Sequence, residues 1–111
     1  MAELPSLRFI PDHIQAKRYR LTKHPTVVRL ERGITTAELE QALLNGEIIE
    51  RYPDDQPYPS CLVLGWLTSG DPPHVVCSRG NIEPALRIVT LYEPEDALWE
   101  SDYKTRKVRR D

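Results

Sequence analysis

Cysteine is scarce: Cys61 and Cys77 are the two in 111 residues, too few for the disulfide framework that small secreted domains use in place of a core. Glycine is scarce too, at five residues. No glycine-rich phosphate loop or dinucleotide fingerprint can be assembled from them, and no catalytic-serine motif or paired-carboxylate site is recognisable. The longest apolar run, residues 61–67, is strand-sized and far short of the ~20 residues of a membrane span. Neither sign of charge dominates. The net charge is −2, without the basic excess usual in nucleic-acid binders. Met1-Ala2-Glu3-Leu4-Pro5 lacks the basic start and apolar stretch of a secretory signal. These absences predict a cytoplasmic domain with no membrane partner.

Proline is abundant. Ten residues are about twice the average share, and they cut the chain into short elements. With 40% apolar and 29% charged residues, a chain of this length buries roughly two thirds of its unfolded surface in one core. The expected organisation is an N-terminal arm over 1–10, one domain over 11–100 and a basic tail over 101–111. Charge is unevenly spread: net +4 over 1–34, −5 over 35–60, −1 over 61–85, −3 over 86–100 and +3 over 101–111. Should the two basic ends meet in space, they would form one positive surface.

Pro11-Asp12 reads as a turn, followed by a short polar helix to about Arg18 and an extended Tyr19-Arg20-Leu21. A helix resumes at Thr22 or His24, with Pro25 in its first turn, where the missing N–H has no intrahelical partner. Val27, Leu30 and Ile34 give it an apolar stripe, and Gly33 ends it. Thr35 and Glu38 spell a capping box for the next helix, with Ile34 and Leu39 as its hydrophobic staple. Leu39, Ala42 and Leu43 form its buried face, and Asn45-Gly46 ends it. The period then switches to that of strands over 47–52, 60–67, 74–79 and 85–92. The 60–67 run is apolar on both alternations and therefore interior. Trp99 should dock a C-terminal segment. The fold class is α+β: N-terminal short helices packed on one face of a four-stranded antiparallel β-meander.

The cysteines suggest a core pair. With the hairpin centred after Ser69, Cys77 is expected opposite Leu64 or Gly65, too far from Cys61 for the ~7 Å limit of a disulfide. No C-x-x-C or H-x-x-x-H pair seeds a zinc site, so neither a metal nor a cofactor is expected. His13 lies on a weak helix and reads as solvated. His24, three residues before Val27, is either a partly buried or capping residue on that stripe or a general acid/base at a helix N-terminus. His74 opens a strand and is either a hydrogen-bonded spacer or chemically active. Arg79 ends a strand and Arg87 interrupts an apolar one, so each faces solvent or an anion. Thr90 and Tyr92 follow on alternate positions, as ordinary strand formers or as contacts to phosphate, ribose or base.

Several strings occur in order: Tyr19-Arg20-Leu21-Thr22-Lys23-His24, Glu31-Arg32-Gly33-Ile34, Gly46-Glu47-Ile48-Ile49-Glu50, Tyr52-Pro53-Asp54-Asp55, Cys61-Leu62-Val63-Leu64-Gly65, His74-Val75-Val76 and Ile88-Val89-Thr90-Leu91-Tyr92-Glu93-Pro94. With Trp99, Tyr103 and the basic end, they resemble a bacterial domain-of-unknown-function family grouped with the RelE, HigB and MqsR toxins, from about Tyr19 to Arg110. The resemblance implies a RelE-like fold and a type II toxin–antitoxin role as an mRNA interferase. The partners would be RNA, a cognate antitoxin of the zinc-finger MqsA type and the ribosome. The implied chemistry is metal-independent attack of a ribose 2′-OH on the adjacent phosphate. It maps His24, His74 and Tyr92 as catalytic candidates and Arg79, Arg87, Thr90 and Arg32 as phosphate- or RNA-binding candidates. The alternative is a non-catalytic protein-interaction module on the same scaffold, with structural histidines.

Overall fold

The computed structural model describes residues 4–108. Its elements run α1 (Phe9–Gln15), β1 (Tyr19–Leu21), α2 (Lys23–Arg32), α3 (Thr36–Leu44), β2 (Glu47–Tyr52), β3 (Ser60–Leu64), β4 (His74–Arg79) and β5 (Leu86–Tyr92). The sheet has five strands in the order β1-β5-β4-β3-β2. The expected meander of four is β2 to β5, antiparallel throughout. The fifth strand is the extended Tyr19-Arg20-Leu21, which joins β5 in parallel. It holds there because Tyr19 and Leu21 pack on the core while Arg20 stays exposed, and because Thr22 donates its N–H to the Ile88 carbonyl at 3.0 Å. The sheet is therefore mixed.

The N-terminal helix begins at Phe9 rather than Asp12. Pro11 sits third in α1, inside the first turn, where a missing N–H costs no hydrogen bond. Phe9, Ile10 and Ile14 are buried, so the expected arm over 1–10 contributes core residues; Met1 to Glu3 lie outside the described residues. His13 is not solvated: Nδ1 lies 3.0 Å from the Phe9 carbonyl and Nε2 3.1 Å from Glu83.

Helix α2 ends as expected at Gly33, in the left-handed conformation at φ 68°. Its apolar stripe is rotated, however. Val27 and Leu30 are 42% and 65% exposed, whereas Pro25 is buried and Val28 packs on the core. Pro25 and Val28, at i and i+3, set the inward face, and His24 is consequently exposed. In α3 the expected cap is present, with the Glu38 N–H donating to Thr35 Oγ1 at 3.1 Å, and Leu39, Ala42 and Leu43 are buried.

All five residues of β3 are buried. Strand β3 stops at Leu64, and Gly65 then packs against α3: a Cβ there would stand 2.7 Å from the Ala42 carbonyl oxygen and 2.8 Å from the Ala42 Cβ. Backbone cannot yield as a flexible side chain does. Gly65→Ala is accordingly expected to cost about 1–3 kcal/mol, measured by urea denaturation. An unchanged midpoint would mean that α3 is free to shift off the sheet.

The β3–β4 register corrects the cysteine geometry. The pairs run from Leu64 with His74 to Ser60 with Ser78. Pairing is thus centred on residue 69, which sets Cys61 directly opposite Cys77. Both are free and buried. Burial pushes the Cys61 thiol up to about 12 and raises that of Cys77 as well. Two protonated thiols in the core are inert.

Candidate functional site

Alternation along the strands sorts the sheet into two faces. Ile48, Cys61, Val63, Val75, Cys77, Leu86, Ile88 and Leu91 pack with the helices in one core cluster. The intervening positions point the other way. Bulges between Ile48 and Glu50 and between Val76 and Cys77 put Glu50 and Tyr52 of β2, and Thr90 and Tyr92 of β5, on that second face. There Tyr92 lies in register with His74, Thr90 with Val76, and Arg87 with Ser78 on one side and Arg20 on the other.

One end of this second face is closed by the C-terminal segment. Residues 98–100 and 105–107 form a small hairpin, joined by Glu100 N–H to the Thr105 carbonyl and Lys107 N–H to the Leu98 carbonyl. Its turn is organised by Asp102, whose carboxylate accepts from the Lys104 and Thr105 N–H groups, both at 2.9 Å. Trp99, as expected, docks. It is 2% exposed, lies edge-on to His74 with centroids 4.5 Å apart, and carries the Arg106 guanidinium over its ring at 4.5 Å. Arg106 also clamps Glu50 through two bonds of 2.7 and 3.0 Å, and Tyr52 donates to the same carboxylate at 2.6 Å. The Arg106 contact holds the Glu50 carboxyl below its usual range.

His74 is completely buried and uses both ring nitrogens. Nε2 lies 2.6 Å from the Tyr103 carbonyl oxygen, which can only accept, so Nε2 carries the proton. In the neutral ring Nδ1 is then the acceptor, and Tyr92 donates its hydroxyl to it at 3.2 Å. Burial lowers the His74 pKa, opposed in part by the bond to Tyr103, and burial raises that of Tyr92. The pair is a neutral imidazole behind a protonated phenol.

At the other end of the face lies an open cleft of about 340 Å³, lined by Arg20, Tyr58, Asn81, Ile82 and Arg87 among others. Arg87 lies 5.3 Å from the Tyr58 ring centroid.

The structure thus brings together four of the seven sequence-derived candidates: Arg87, Thr90, Tyr92 and His74 share the second face. His24 follows Thr22 by two residues, at the start of α2. Thr22 donates its hydroxyl to the Ile88 and Val89 carbonyls, both at 3.2 Å, which sets the start of α2 beside β5 where β1 no longer covers it. Arg32, in the last turn of α2, pairs with Glu93 at 3.0 Å. Arg79 points to the helix face, with its guanidinium 4.3 Å from the Phe9 ring centroid. Among the described residues the two basic ends do not merge. Arg20 is on the β1 edge, whereas Lys104 and Arg106 reach Glu47 and Glu50 on the opposite edge strand β2; Arg109 and Arg110 lie outside the described residues. Sequence reasoning missed Arg20, Tyr58 and the whole Glu50–Arg106–Trp99 arrangement. For Arg20 the alternation of Tyr19-Arg20-Leu21 was a usable signal; for Tyr58, in a proline-rich loop, there was none. Among the described residues no three His, Cys, Asp or Glu side chains converge as a metal site requires, and no helix is long and apolar enough to cross a membrane.

Comparison with known proteins gives one match. The model of a domain of unknown function, DUF4258, covers residues 21–93, which spans α2 through β5 and leaves out α1 and the C-terminal hairpin. No curated protein matches, and no solved structure does.

Proposed function

The chain belongs to the DUF4258 family, and from that premise we propose that it is a toxin-like, metal-independent endoribonuclease with a RelE-like arrangement, kept inactive in the cell by a cognate antitoxin. The observation that carries this reading is the row Arg87, Thr90 and Tyr92 on the half-buried second face of β5, with the start of α2 and its exposed His24 following Thr22, which bonds to the same strand. RNA cleavage by its own 2′-OH needs a group to take the hydroxyl proton, a group to return a proton to the departing 5′-oxygen, and cations against the charge that builds on phosphorus. His24 takes the first role. Tyr92, kept protonated by burial, takes the second by turning its hydroxyl from His74 Nδ1 to the 5′-oxygen, with His74 as the positioning residue behind it. Arg87 takes the third, with Thr90 beside it. Attack of the 2′-oxygen forms a cyclic 2′,3′-phosphate and breaks the bond to the 5′-oxygen. Arg79, turned to the helix face, is peripheral to this row, whereas Arg32, paired with Glu93, lines one cavity with Tyr92 at its end. A zinc-finger antitoxin and the ribosome are the partners this reading carries with it.

The interaction-module reading has its own observation in the exposed Val27 and Leu30 of α2. Growth after induction separates the two. Arrest by the wild type, with RNA cut by purified protein in the presence of a chelator, is the expected result. His24→Ala should slow cleavage by about tenfold or more without changing the melting temperature, because the side chain is exposed. Well-expressed wild type that neither arrests growth nor cuts RNA would give the module reading the lead.

A further inference from the structure

Arg20 and Arg87 are direct partners in the parallel β1–β5 pair. Like charges opposite one another in a sheet are destabilising, and a carboxylate normally relieves the repulsion. Here none does: among the described residues neither arginine has an ion pair, and no Asp or Glu lines the cleft they share. In the flanking loops Asp55 and Glu83 are already engaged. Asp55 accepts from Ser60 at 2.6 Å, and Glu83 holds His13 at 3.1 Å and Arg18 at 3.0 Å. Ser78, on the same face and in register with Arg87, is 3% exposed, yet its hydroxyl has no hydrogen-bond partner among the described residues. A repelling pair of guanidiniums lining a cleft without a carboxylate has the electrostatics of an anion site; Ser78 lies beneath it and does not line it.

The rest of the cleft narrows the kind of anion. Tyr58 presents an aromatic ring next to Arg87, Ile82 is 77% exposed at the rim, and Asn81 supplies an amide able to pair with a base edge. Gly80 lines the cleft between these two side chains: a Cβ there would stand at ordinary contact distance, 3.5 Å, from both Arg87 Cδ and Tyr58 Cε2. At about 340 Å³ the space lies at the small end of the range for ligand pockets.

We propose that the cleft between Arg20, Arg87 and Tyr58 is a nucleotide subsite, with the phosphate between the two guanidiniums and the base on the Tyr58 ring. This rests on the RNA-directed reading above and extends it, since the subsite lies further along the row from His24 and Tyr92 and would hold a neighbouring nucleotide of the strand. A free nucleotide and an RNA strand share this chemistry, and binding measurements tell them apart.

The test is titration of the full chain at low ionic strength with uridine 5′-monophosphate, uridine, inorganic phosphate and a ten-nucleotide oligouridylate, read by heteronuclear NMR and by thermal shift. The nucleotide and the oligomer should bind the wild type and raise its melting temperature. Arg20→Gln/Arg87→Gln should lose both responses while melting at or above the wild-type temperature, because the substitution also removes the repulsion. Tyr58→Ala should weaken the nucleotide about tenfold and leave inorganic phosphate unchanged. Tighter binding of the oligomer than of the nucleotide identifies a strand as the ligand, and equal binding identifies a free nucleotide. The proposal is overturned if no probe binds the wild type, or if the double variant binds the nucleotide as tightly. RNA cut equally by wild type and Arg20→Gln, with nucleotide binding also unchanged in that variant, would remove the subsite and leave the ribonuclease, because Arg20 has no part in the cleavage chemistry. Nucleotide binding lost in the double variant, with no cleavage by the wild type, would do the reverse.

Discussion

Replacing Trp99 by alanine is expected to lower stability by about 3–5 kcal/mol, equivalent to a fall in melting temperature of roughly 15 °C or more in a domain of this size. The indole is almost fully buried and is held on two sides, by the edge of His74 and by the Arg106 guanidinium. Its loss therefore leaves a cavity and also loosens the hairpin that brings the Tyr103 carbonyl to His74. Leu64, buried in β3 on the same face as His74, would gain access to water when that hairpin lifts. The neighbouring Leu98 is 47% exposed, so Leu98→Ala is the matched control, expected within about 0.5 kcal/mol of the wild type. Calorimetry of the three proteins decides the matter. A Trp99→Ala protein melting within a few degrees of the wild type would mean that the hairpin lies on the sheet without holding it.

How much of this was legible in the sequence depended on whether the deciding interaction was local. The α3 cap was legible because Thr35 and Glu38 lie within one turn of each other, and the end of α2 because Gly33 alone permits the left-handed φ. Strands β2 to β5 showed in their own alternation. The face of α2 was not legible. Val27 and Leu30 have the spacing of a buried stripe, but Pro25 and Val28 have it as well, and only the docking of the helix on β5 chooses between them. The parallel partner of Tyr19-Arg20-Leu21 lies more than sixty residues away, and no local rule supplies it. In the candidate site, Arg87, Thr90 and Tyr92 could be read together because they belong to one strand. The burial of His74 could not, since it is imposed by Trp99 and Tyr103 from a segment that reads, on its own, as a charged tail.

The state of His74 gives the second large effect. His74→Ala removes a buried ring and leaves the Tyr103 carbonyl and the Tyr92 hydroxyl without partners, for an expected loss of about 2–4 kcal/mol. The wild type should also show a pH signature that the variant lacks. In the unfolded chain the imidazole titrates near its ordinary value of about 6.5; in the fold burial lowers it. Below pH 6.5 the unfolded state takes up a proton that the native state refuses, so stability falls as the pH drops from about 7.5 through 6.5 and stops falling once the folded value is passed. Glu50 contributes in a separate window. Its carboxyl is held low by Arg106, and that contribution is present above about pH 4.5 and is lost at more acidic values. His74→Gln, which keeps a donor for the Tyr103 carbonyl but cannot titrate, isolates the imidazole. The difference in unfolding free energy between wild type and His74→Gln, measured by urea denaturation from pH 7.5 to 5.5, should shrink as the pH falls. A difference that stays constant would mean that native His74 protonates as readily as it does in the unfolded chain. The bond from Tyr92 to Nδ1 would then give way to a proton, and His74 would belong with His24 among the acid–base groups rather than behind Tyr92 as its support.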